Sequence, residues 1–373
     1  MPKTDILDNL KEIKRIDKSN MLSFCVEAAK HYENAFKIAK TVNVSCPLEP
    51  KAIIVAGMGG SAIGGELLKD WARDTLKVPL ELCRDYALPA YADENTLAFI
   101  VSYSGETEET LSVFLEALKR KCMITCISSG GSLIEFAEKM SIPYLRVPHG
   151  FPPRAALPYL FIPTLVFVEK LGLVSKVERE IPEAIKVLRQ VCEENAPQTP
   201  LKENFSKMLA SNINGTVPVV YGFGVYRSVA QRFKQQFNEN SKVPSKWEFF
   251  PELNHNEVVG WEKPEKLSKH FSAIFLRDKS EPEEIQSRIE ATKELMLDKI
   301  AGVYEVWSRG EGRLAKMLST TLIGDFASVY LALLREIDPT PVETINLLKR
   351  KIAETGARNK ILHELKTLSK TDV

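Results

Sequence analysis

The chain has 373 residues, with 50 lysines and arginines against 49 aspartates and glutamates. A net charge of +1 argues against nucleic acid or an anionic membrane as the main partner, because both require a basic surplus. A small anionic ligand is not excluded, since it needs only a local site. At roughly 150 residues per domain, the length predicts two or three domains.

The cysteines and the N-terminal sequence point to a reducing compartment. The six cysteines show no CxxC spacing, and a chain of this length does not need disulfides to fold. Residues 1–18 are charged and lack the apolar core of a signal peptide. The most apolar segment, residues 155–168, carries two prolines and is too short for a membrane span, so it predicts a buried helix. We expect a soluble, cytoplasmic protein.

The first half of the chain alternates between strands and helices after a helical segment of about 45 residues. Short apolar runs predict the strands, and helical periodicity follows each run. The strands are expected at 52–56, 97–101 and 123–127, and the helices at 61–76, 107–120 and 133–139. This alternation predicts an α/β fold with a parallel sheet covered on both faces.

The alternation of strands and helices resumes after a charged helical stretch at 176–194. Further strands are expected at 217–221, 247–250, 271–276 and 303–306, and further helices at 225–240, 313–337 and 342–368. The predicted organisation is an N-terminal helical segment (1–45), an α/β domain (46–172), a helical connector (173–215), a second α/β domain (216–338) and a C-terminal helical segment (339–373).

A glycine-rich segment, Gly57-Met-Gly59-Gly60-Ser61-Ala62, joins the first strand to the next helix. Glycine lets a backbone approach a ligand closely, and the free N–H groups of a helix start favour an anion. The segment also fits the GxGxxG/A fingerprint of dinucleotide sites, so an NAD-linked oxidoreductase is one alternative. A tight turn without any ligand is another.

A second loop, Ser102-Tyr103-Ser104-Gly105-Glu106-Thr107, also follows a buried strand and opens a helix. Three hydroxyls around a glycine can give a phosphate monoester several donors without any lysine or arginine. Dinucleotide sites do not need this second loop. The alternative is helix capping by Ser104 or Thr107, although capping explains one hydroxyl better than three. The loop therefore favours a phosphate pocket.

Together the two loops resemble a sugar isomerase (SIS) domain. The whole chain resembles the bifunctional phosphoglucose/phosphomannose isomerase family, over about residues 45–355. Besides the two loops, the resemblance rests on GFPPRAALPYL (150–160), NENSKVP (238–244) and PELNHNEVVGWE (251–262). It implies two SIS-type domains, each a parallel sheet flanked by helices, and a place in carbohydrate metabolism.

The resemblance implies reversible isomerisation of glucose 6-phosphate, and of mannose 6-phosphate, with fructose 6-phosphate. It implies that Glu239 moves the C1/C2 proton, that His255 opens the sugar ring, and that Arg154 stabilises the enediolate. Lys349 fits a further implied lysine best, with Lys351 as the alternative, and acceptance of mannose 6-phosphate is linked to Thr340 or Thr344. The residues expected to hold the substrate phosphate are Gly60, Ser61, Ser102, Ser104 and Thr107. No metal or redox cofactor is required.

The second half of the chain does not repeat the phosphate loops. Its glycine turn reads Tyr221-Gly-Phe-Gly224, and its later strand ends in FLRD (275–278) without a hydroxyl cluster. We expect the second domain to supply catalytic groups to the first domain's site or to a partner's. The resemblance also implies a homodimer, without nucleic acid or a membrane as partner.

Of the five histidines, His255 is the candidate for ring opening because it lies in an irregular segment between two asparagines that can fix its tautomer. His31, His270 and His363 fit surface positions, and His149 could line the site. Two further alternatives remain open. One is a non-catalytic phosphosugar-binding SIS protein, and the other is an SIS isomerase acting on amino or heptose sugar phosphates.

Overall fold

The computed structural model describes residues 3–44, 46–263 and 266–370. Its strands are β1 (Ala52–Ala56), β2 (Leu80–Cys83), β3 (Thr96–Val101), β4 (Met123–Ser128), β5 (Tyr144–Arg146), β6 (Val217–Phe223), β7 (Lys246–Phe250), β8 (Phe271–Arg277) and β9 (Gly302–Trp307). Its α-helices are α1 (Leu10–Ile16), α2 (Met21–Val26), α3 (Ala28–Thr41), α4 (Ile63–Ala72), α5 (Glu108–Lys119), α6 (Gly131–Lys139), α7 (Leu157–Lys170), α8 (Val177–Glu194), α9 (Phe205–Ile213), α10 (Arg227–Glu239), α11 (Glu283–Met296), α12 (Arg313–Leu334), α13 (Glu343–Ala353) and α14 (Ala357–Leu368).

The chain forms two compact units. One consists of His31–Glu178 with Val342–Val373, and the other of Met1–Lys30 with Arg179–Pro341. We call them the five-stranded unit and the four-stranded unit after their sheets. Residues 3–30 and 342–370 therefore each pack with the half of the sequence that lies further from them.

The five-stranded unit has a wholly parallel sheet in the order β2-β1-β3-β4-β5. Every residue of β1, β3 and β4 is buried, as expected for central strands covered on both faces. The sequence predictions for these three strands are confirmed. Strands β2 and β5 were not predicted, because they are short edge strands with exposed polar residues such as Glu81 and Arg146.

The order of this sheet places a topological switch point between β1 and β3. These strands are neighbours, with Ala56 beside Ile100, although β2 lies between them in sequence. In open α/β sheets, ligands bind at the carboxyl ends of the strands at such a point. The glycine loop (57–62) and the hydroxyl loop (102–107) leave the sheet at this place.

The C-terminal segment contributes to the core of the five-stranded unit. The prediction of a single helix over 342–368 is wrong, because Gly356 takes a left-handed φ of 70° and separates α13 from α14. On α14, Leu365 is fully buried in the cluster that contains Leu111 and Phe114 of α5. A salt bridge from Lys119 to Glu364 joins the same two helices at the surface.

The four-stranded unit repeats the plan with a parallel sheet in the order β7-β6-β8-β9. Among the described residues, α12 is the one helix long and apolar enough to cross a membrane, but 94% of its apolar window is buried inside the protein. It is the core helix of this unit. Helices α9 and α11 were not predicted. The α/β class and the two parallel sheets flanked by helices are as predicted.

Helix α8, the predicted connector, packs within the four-stranded unit. Its Glu183 accepts the backbone N–H groups of Glu311 and Gly312, at 2.6 and 3.0 Å. Its Glu180 accepts that of Leu314 at 3.0 Å. These carboxylates satisfy free N–H groups at the start of α12, where the helix dipole also favours a negative charge.

Candidate active site

The glycine loop lies tightly between β3 and the loop that carries Arg154. A Cβ on Gly57 would be 2.8 Å from the carbonyl oxygen of Val101, and one on Gly60 would be 2.9 Å from that of Pro153. Gly59 has a φ of +52°, which a side chain rarely adopts. Glycine is therefore required here both for close packing and for the turn.

Three serine hydroxyls of the two loops each accept a backbone N–H. Ser61 Oγ accepts that of Tyr103 at 3.1 Å, Ser102 Oγ that of Gly105 at 3.1 Å, and Ser104 Oγ that of Glu106 at 3.2 Å. A hydroxyl has one proton to donate. Accepting these bonds leaves the protons of Ser61 and Ser104 for donation, whereas Ser102 donates its proton to Thr107 Oγ1. Such a set of donors suits an anion.

The hydroxyl of Thr107 does not cap α5, although Thr107 occupies the N-cap position. No hydrogen bond from a helix N–H reaches this hydroxyl within the described part of the chain. It instead accepts from Ser102 Oγ at 3.1 Å, so its own proton can be donated elsewhere. The first N–H groups of α5 are thus not satisfied by the Thr107 side chain, which is the arrangement of a helix start that receives an anion. The capping alternative is wrong for Thr107.

Arg154 lies beside the glycine loop. It belongs to a 3-10 turn, Pro153–Ala155, and is 2% exposed. A Cβ on Gly60 would be 3.1 Å from its Cα. The five-stranded unit therefore brings Arg154 together with the predicted phosphate-binding residues at the switch point.

The position of His31 differs from the surface position expected from the sequence. It is half-buried rather than at the surface, and its ring packs edge-on against Phe151 with the centroids 4.9 Å apart. Its Nδ1 lies 3.2 Å from the hydroxyl of Tyr159. His31 thus supports the loop that leads to Arg154. Its charged helical neighbours in the sequence gave no signal of this contact, which joins residues 120 positions apart.

Lys349 lies on α13, a helix without a buried residue. Lys349, Lys351 and Thr344 are all exposed. Within the residues that the structure describes, no hydrogen bond or ion pair joins Lys349 to the two loops. Its assignment remains a prediction.

Glu239 is the last residue of α10 in the four-stranded unit, and it is partly exposed. The residues after it are anchored to α12. Asn240 Nδ2 donates to Ser328 Oγ at 2.9 Å, and Ser241 Oγ donates to the Ser328 carbonyl at 2.6 Å. The ammonium of Lys242 donates to the carbonyl of Glu239. The backbone that carries the Glu239 side chain is therefore anchored at the end of α10.

His255 is exposed, at the end of the 3-10 turn Glu252–His255. Its two asparagine neighbours do not hold its ring. Asn254 Nδ2 donates to Thr292 Oγ1 at 2.9 Å, and Asn256 Nδ2 donates to Glu252 at 2.8 Å. The asparagines fix the path of the backbone and leave the imidazole at the surface of its unit.

In the four-stranded unit, a carboxylate lies where the five-stranded unit has the hydroxyl loop. Asp278 follows β8 directly and accepts hydrogen bonds from Tyr226, Ser280 and Lys316, at 2.6, 2.8 and 3.0 Å. Although burial opposes it, these donors lower the pKa of Asp278 below its ordinary value. In this unit, the groups that could donate hydrogen bonds to a bound anion therefore already donate them to the Asp278 carboxylate.

Two parallel sheets in matching order, with a nest of hydroxyls at one switch point, define a two-domain α/β protein of the phosphosugar-binding SIS class. Residues 202–352 match the family described as bacterial phospho-glucose isomerase C-terminal SIS domain. The crystal structure of a glucose-6-phosphate isomerase like protein from Thermus thermophilus has the same fold. It superposes with a TM-score of 0.60 at 19% identity, over 92% of this chain and 97% of that one.

Two relatives define the family more closely. The bifunctional phosphoglucose/phosphomannose isomerase of Caldicellulosiruptor bescii is 42% identical over 324 residues, covering 86% of this chain and 96% of the relative. The enzyme of the same name from Aquifex aeolicus is 35% identical over 330 residues, covering 87% of this chain and 98% of the relative. The chain belongs to the bifunctional phosphoglucose/phosphomannose isomerase family, and the resemblance seen in its sequence motifs is confirmed.

Proposed function

We propose that this chain catalyses the reversible isomerisation of glucose 6-phosphate, and of mannose 6-phosphate, to fructose 6-phosphate through an enediol(ate) intermediate. The observation that carries the proposal is the set of hydroxyls on the two loops. Ser61 and Ser104 accept backbone N–H groups and keep their protons for an anion, and Thr107 accepts from Ser102 and keeps its own. Family membership supplies the substrate class. The five-stranded unit thus acts as the phosphate-binding domain.

In this proposal the phosphate is bound by Gly60, Ser61, Ser102, Ser104 and Thr107. Hydroxyls and backbone amides at a helix start provide this binding without a cationic patch, which agrees with the neutral charge of the chain. The bound phosphate anchors the substrate, so the reacting carbons are held in a fixed place. Arg154, buried beside Gly60, supplies a fixed positive charge to the enediolate oxygen.

Glu239 is the base that carries the proton between C1 and C2. Its position at the anchored end of α10 supports this role, because a general base must be held within reach of the proton that it moves. Lys349 is proposed as a further catalytic group. From aldose to ketose, one proton passes from C2 to C1 and a second passes from the C2 hydroxyl to the C1 carbonyl oxygen, so the reaction has no net redox change.

His255 is proposed to open the sugar ring, and a homodimer is proposed as the working form. Two observations support this pair of proposals. His255 is exposed on its unit, so a group outside the unit can reach it. The four-stranded unit also fills its own switch point with Asp278, which supports a role for its catalytic residues at a phosphate bound outside this unit.

A cytoplasmic location is proposed as well. All six cysteines lie within the described residues and all are free, five of them buried. Burial raises the pKa of thiols such as Cys126 and Cys25 above the ordinary range, which keeps them protonated and unreactive. Free thiols of this kind fit a reducing compartment.

A panel of sugar phosphates tests the function. Purified protein is incubated with glucose, mannose, glucosamine and sedoheptulose phosphates, and the aldose or ketose product of each is measured. We expect fructose 6-phosphate from the first two. Binding without turnover of any substrate would favour a non-catalytic SIS protein, and turnover of the amino or heptose sugar alone would favour another SIS isomerase.

A further inference from the structure

Tyr103 connects the loops that follow β1, β3, β4 and β5 at the carboxyl end of the sheet in the five-stranded unit. Its backbone N–H donates to Ser61 Oγ in the glycine loop at 3.1 Å. Its carbonyl accepts the N–H and the hydroxyl of Ser129, which follows β4, at 3.0 and 2.7 Å. Its phenol hydroxyl reaches the loop after β5. It is 7% exposed, so its contacts are with protein rather than with solvent.

The phenol hydroxyl holds the backbone of residues 148–151 at two points. It donates to the carbonyl of Pro148 at 3.0 Å and accepts the N–H of Phe151 at 2.9 Å. Burial raises the pKa of this phenol above its ordinary value, so the proton needed for the first of these bonds stays in place. Between the two bonded residues, Gly150 has a φ of +92°, and the Tyr103 hydroxyl therefore clamps a turn.

A stiff segment joins the clamped turn to Arg154. Two prolines, Pro152 and Pro153, lie between Phe151 and Arg154, and each fixes its own φ. A shift of the Phe151 N–H is thus passed to the 3-10 turn that carries Arg154. The other side of that turn lies against Gly60, where no space for a Cβ exists.

We propose that Tyr103 is a positioning residue, whose phenol hydroxyl clamps residues 148–151 and so holds Arg154 in the place where it meets the enediolate. This inference rests on the proposed isomerase function. It assigns to Tyr103 no contact with substrate. The phosphate donors do not depend on the phenol hydroxyl, because Tyr103 is linked to Ser61 through its backbone.

The first test is Tyr103→Phe, which removes the hydroxyl and keeps the ring and the backbone bonds. We expect kcat to fall about 5- to 50-fold, since small displacements of a positioned group are costly, while KM changes less than about 3-fold. Tyr144→Phe is the matched control, because its hydroxyl binds Glu138 at the surface of the same unit. A kcat for Tyr103→Phe equal to that of the control would overturn the proposal.

A double variant separates positioning from a general loss of structure. Arg154→Lys lowers kcat by itself, and adding Tyr103→Phe to it should lower kcat less than about 2-fold further, because the clamp acts through Arg154. Independent losses that multiply would overturn the proposal.

Should Tyr103→Phe not fold, Gly150→Ala disturbs the same turn by another route, because alanine is strained at a φ of +92° in open space. It should lower kcat in the same way. Gly172→Ala is its control, with a φ of +72°, also in open space and outside these loops. Equal kcat values for the two glycine variants would overturn the proposal.

Titration calorimetry with two ligands separates a failure of the positioning role from a failure of the isomerase function. Arabinonic acid 5-phosphate carries a carboxylate in the place of the enediolate, and inorganic phosphate lacks it. Tyr103→Phe should weaken binding of the first about 5-fold or more and leave the second unchanged. Equal changes for both ligands would overturn the positioning role, whereas a wild type without turnover would overturn the isomerase function.

Discussion

Ser132, the second residue of α6, donates both its backbone N–H and its hydroxyl to Glu106 of the hydroxyl loop, at 2.8 and 3.1 Å. The same carboxylate pairs with Arg358 on α14. Glu106 thus ties the proposed phosphate loop to the C-terminal helix that completes the five-stranded unit. Its negative charge, close to the proposed phosphate site, is balanced by the arginine.

Arg358→Met should raise KM for the sugar phosphates about 3- to 10-fold, with a smaller effect on kcat. The unbalanced Glu106 carboxylate would then repel the substrate phosphate. Because both partners are more than a third exposed, the unfolding midpoint should move little. Lys119→Met is the control, since it breaks the Lys119–Glu364 pair between α5 and α14. The same rise in KM for both variants would contradict the account.

Thr107→Val should raise KM about 10-fold or more and leave kcat near the wild-type value. It removes a hydroxyl that we propose donates to the phosphate, and hydrogen bonds to charged groups are worth about 1.5–3 kcal/mol. Thr110→Val is its control one turn further along α5, because the Thr110 hydroxyl is buried without a hydrogen-bond partner among the described residues. Steady-state kinetics on fructose 6-phosphate compare them. An unchanged KM for Thr107→Val would show that this hydroxyl does not bind the phosphate.

Leu365→Ala should destabilise the five-stranded unit by about 2–5 kcal/mol, the usual cost of a cavity left by a buried leucine. Leu365 is fully buried, whereas Leu348 on α13 is 55% exposed. Leu348→Ala should therefore change stability by less than about 0.5 kcal/mol. Urea unfolding followed by circular dichroism measures both. Equal midpoints would mean that α14 is not part of the core.

Asp278→Asn should destabilise the four-stranded unit in a pH-dependent way. The pKa of Asp278 is lowered in the folded protein, so its ionised form contributes stability above the unfolded pKa of about 3.9. That contribution is lost as the pH falls through the folded pKa. The stability difference between the wild type and the variant should be constant from pH 5 to 8 and narrow below about pH 4.

The control for this pH series is Asp298→Asn, which alters an exposed carboxylate. Thermal unfolding from pH 3 to 8 measures both variants. Two results would show that the hydrogen bonds of Asp278 do not stabilise the fold. One is a stability difference between the wild type and Asp278→Asn that widens as the pH falls, and the other is the same difference for Asp298→Asn.

Much of the fold could be predicted because its central strands are buried on both faces and so read as unbroken apolar runs. AIIVA at β1 and TLAFIV at β3 are such runs. The edge strands β2 and β5 mix polar and apolar residues and carry no such pattern. The break at Gly356 was missed because helical periodicity continues on both sides of it.

The candidate site could be proposed from the sequence where its residues are neighbours along the chain. The glycine loop and the hydroxyl loop each combine strand, turn and helix start within a few residues, so their chemistry could be read locally. The clamp from Tyr103 to Phe151 and the packing of His31 on Phe151 join residues 48 and 120 positions apart. No local pattern encodes such contacts, and a single sequence gives no covariation from which to infer them.

Solvent deuterium exchange with Glu239→Gln shows whether Glu239 moves the proton between C1 and C2. Glu262→Gln, an exposed glutamate of the same unit, is the control. We expect the wild type and the control to incorporate deuterium into the sugar phosphate during turnover. Glu239→Gln should lose about 10²–10⁴-fold in both kcat and exchange, with its affinity for inorganic phosphate unchanged. A Glu239→Gln enzyme that exchanges and isomerises at near the wild-type rate would contradict this role.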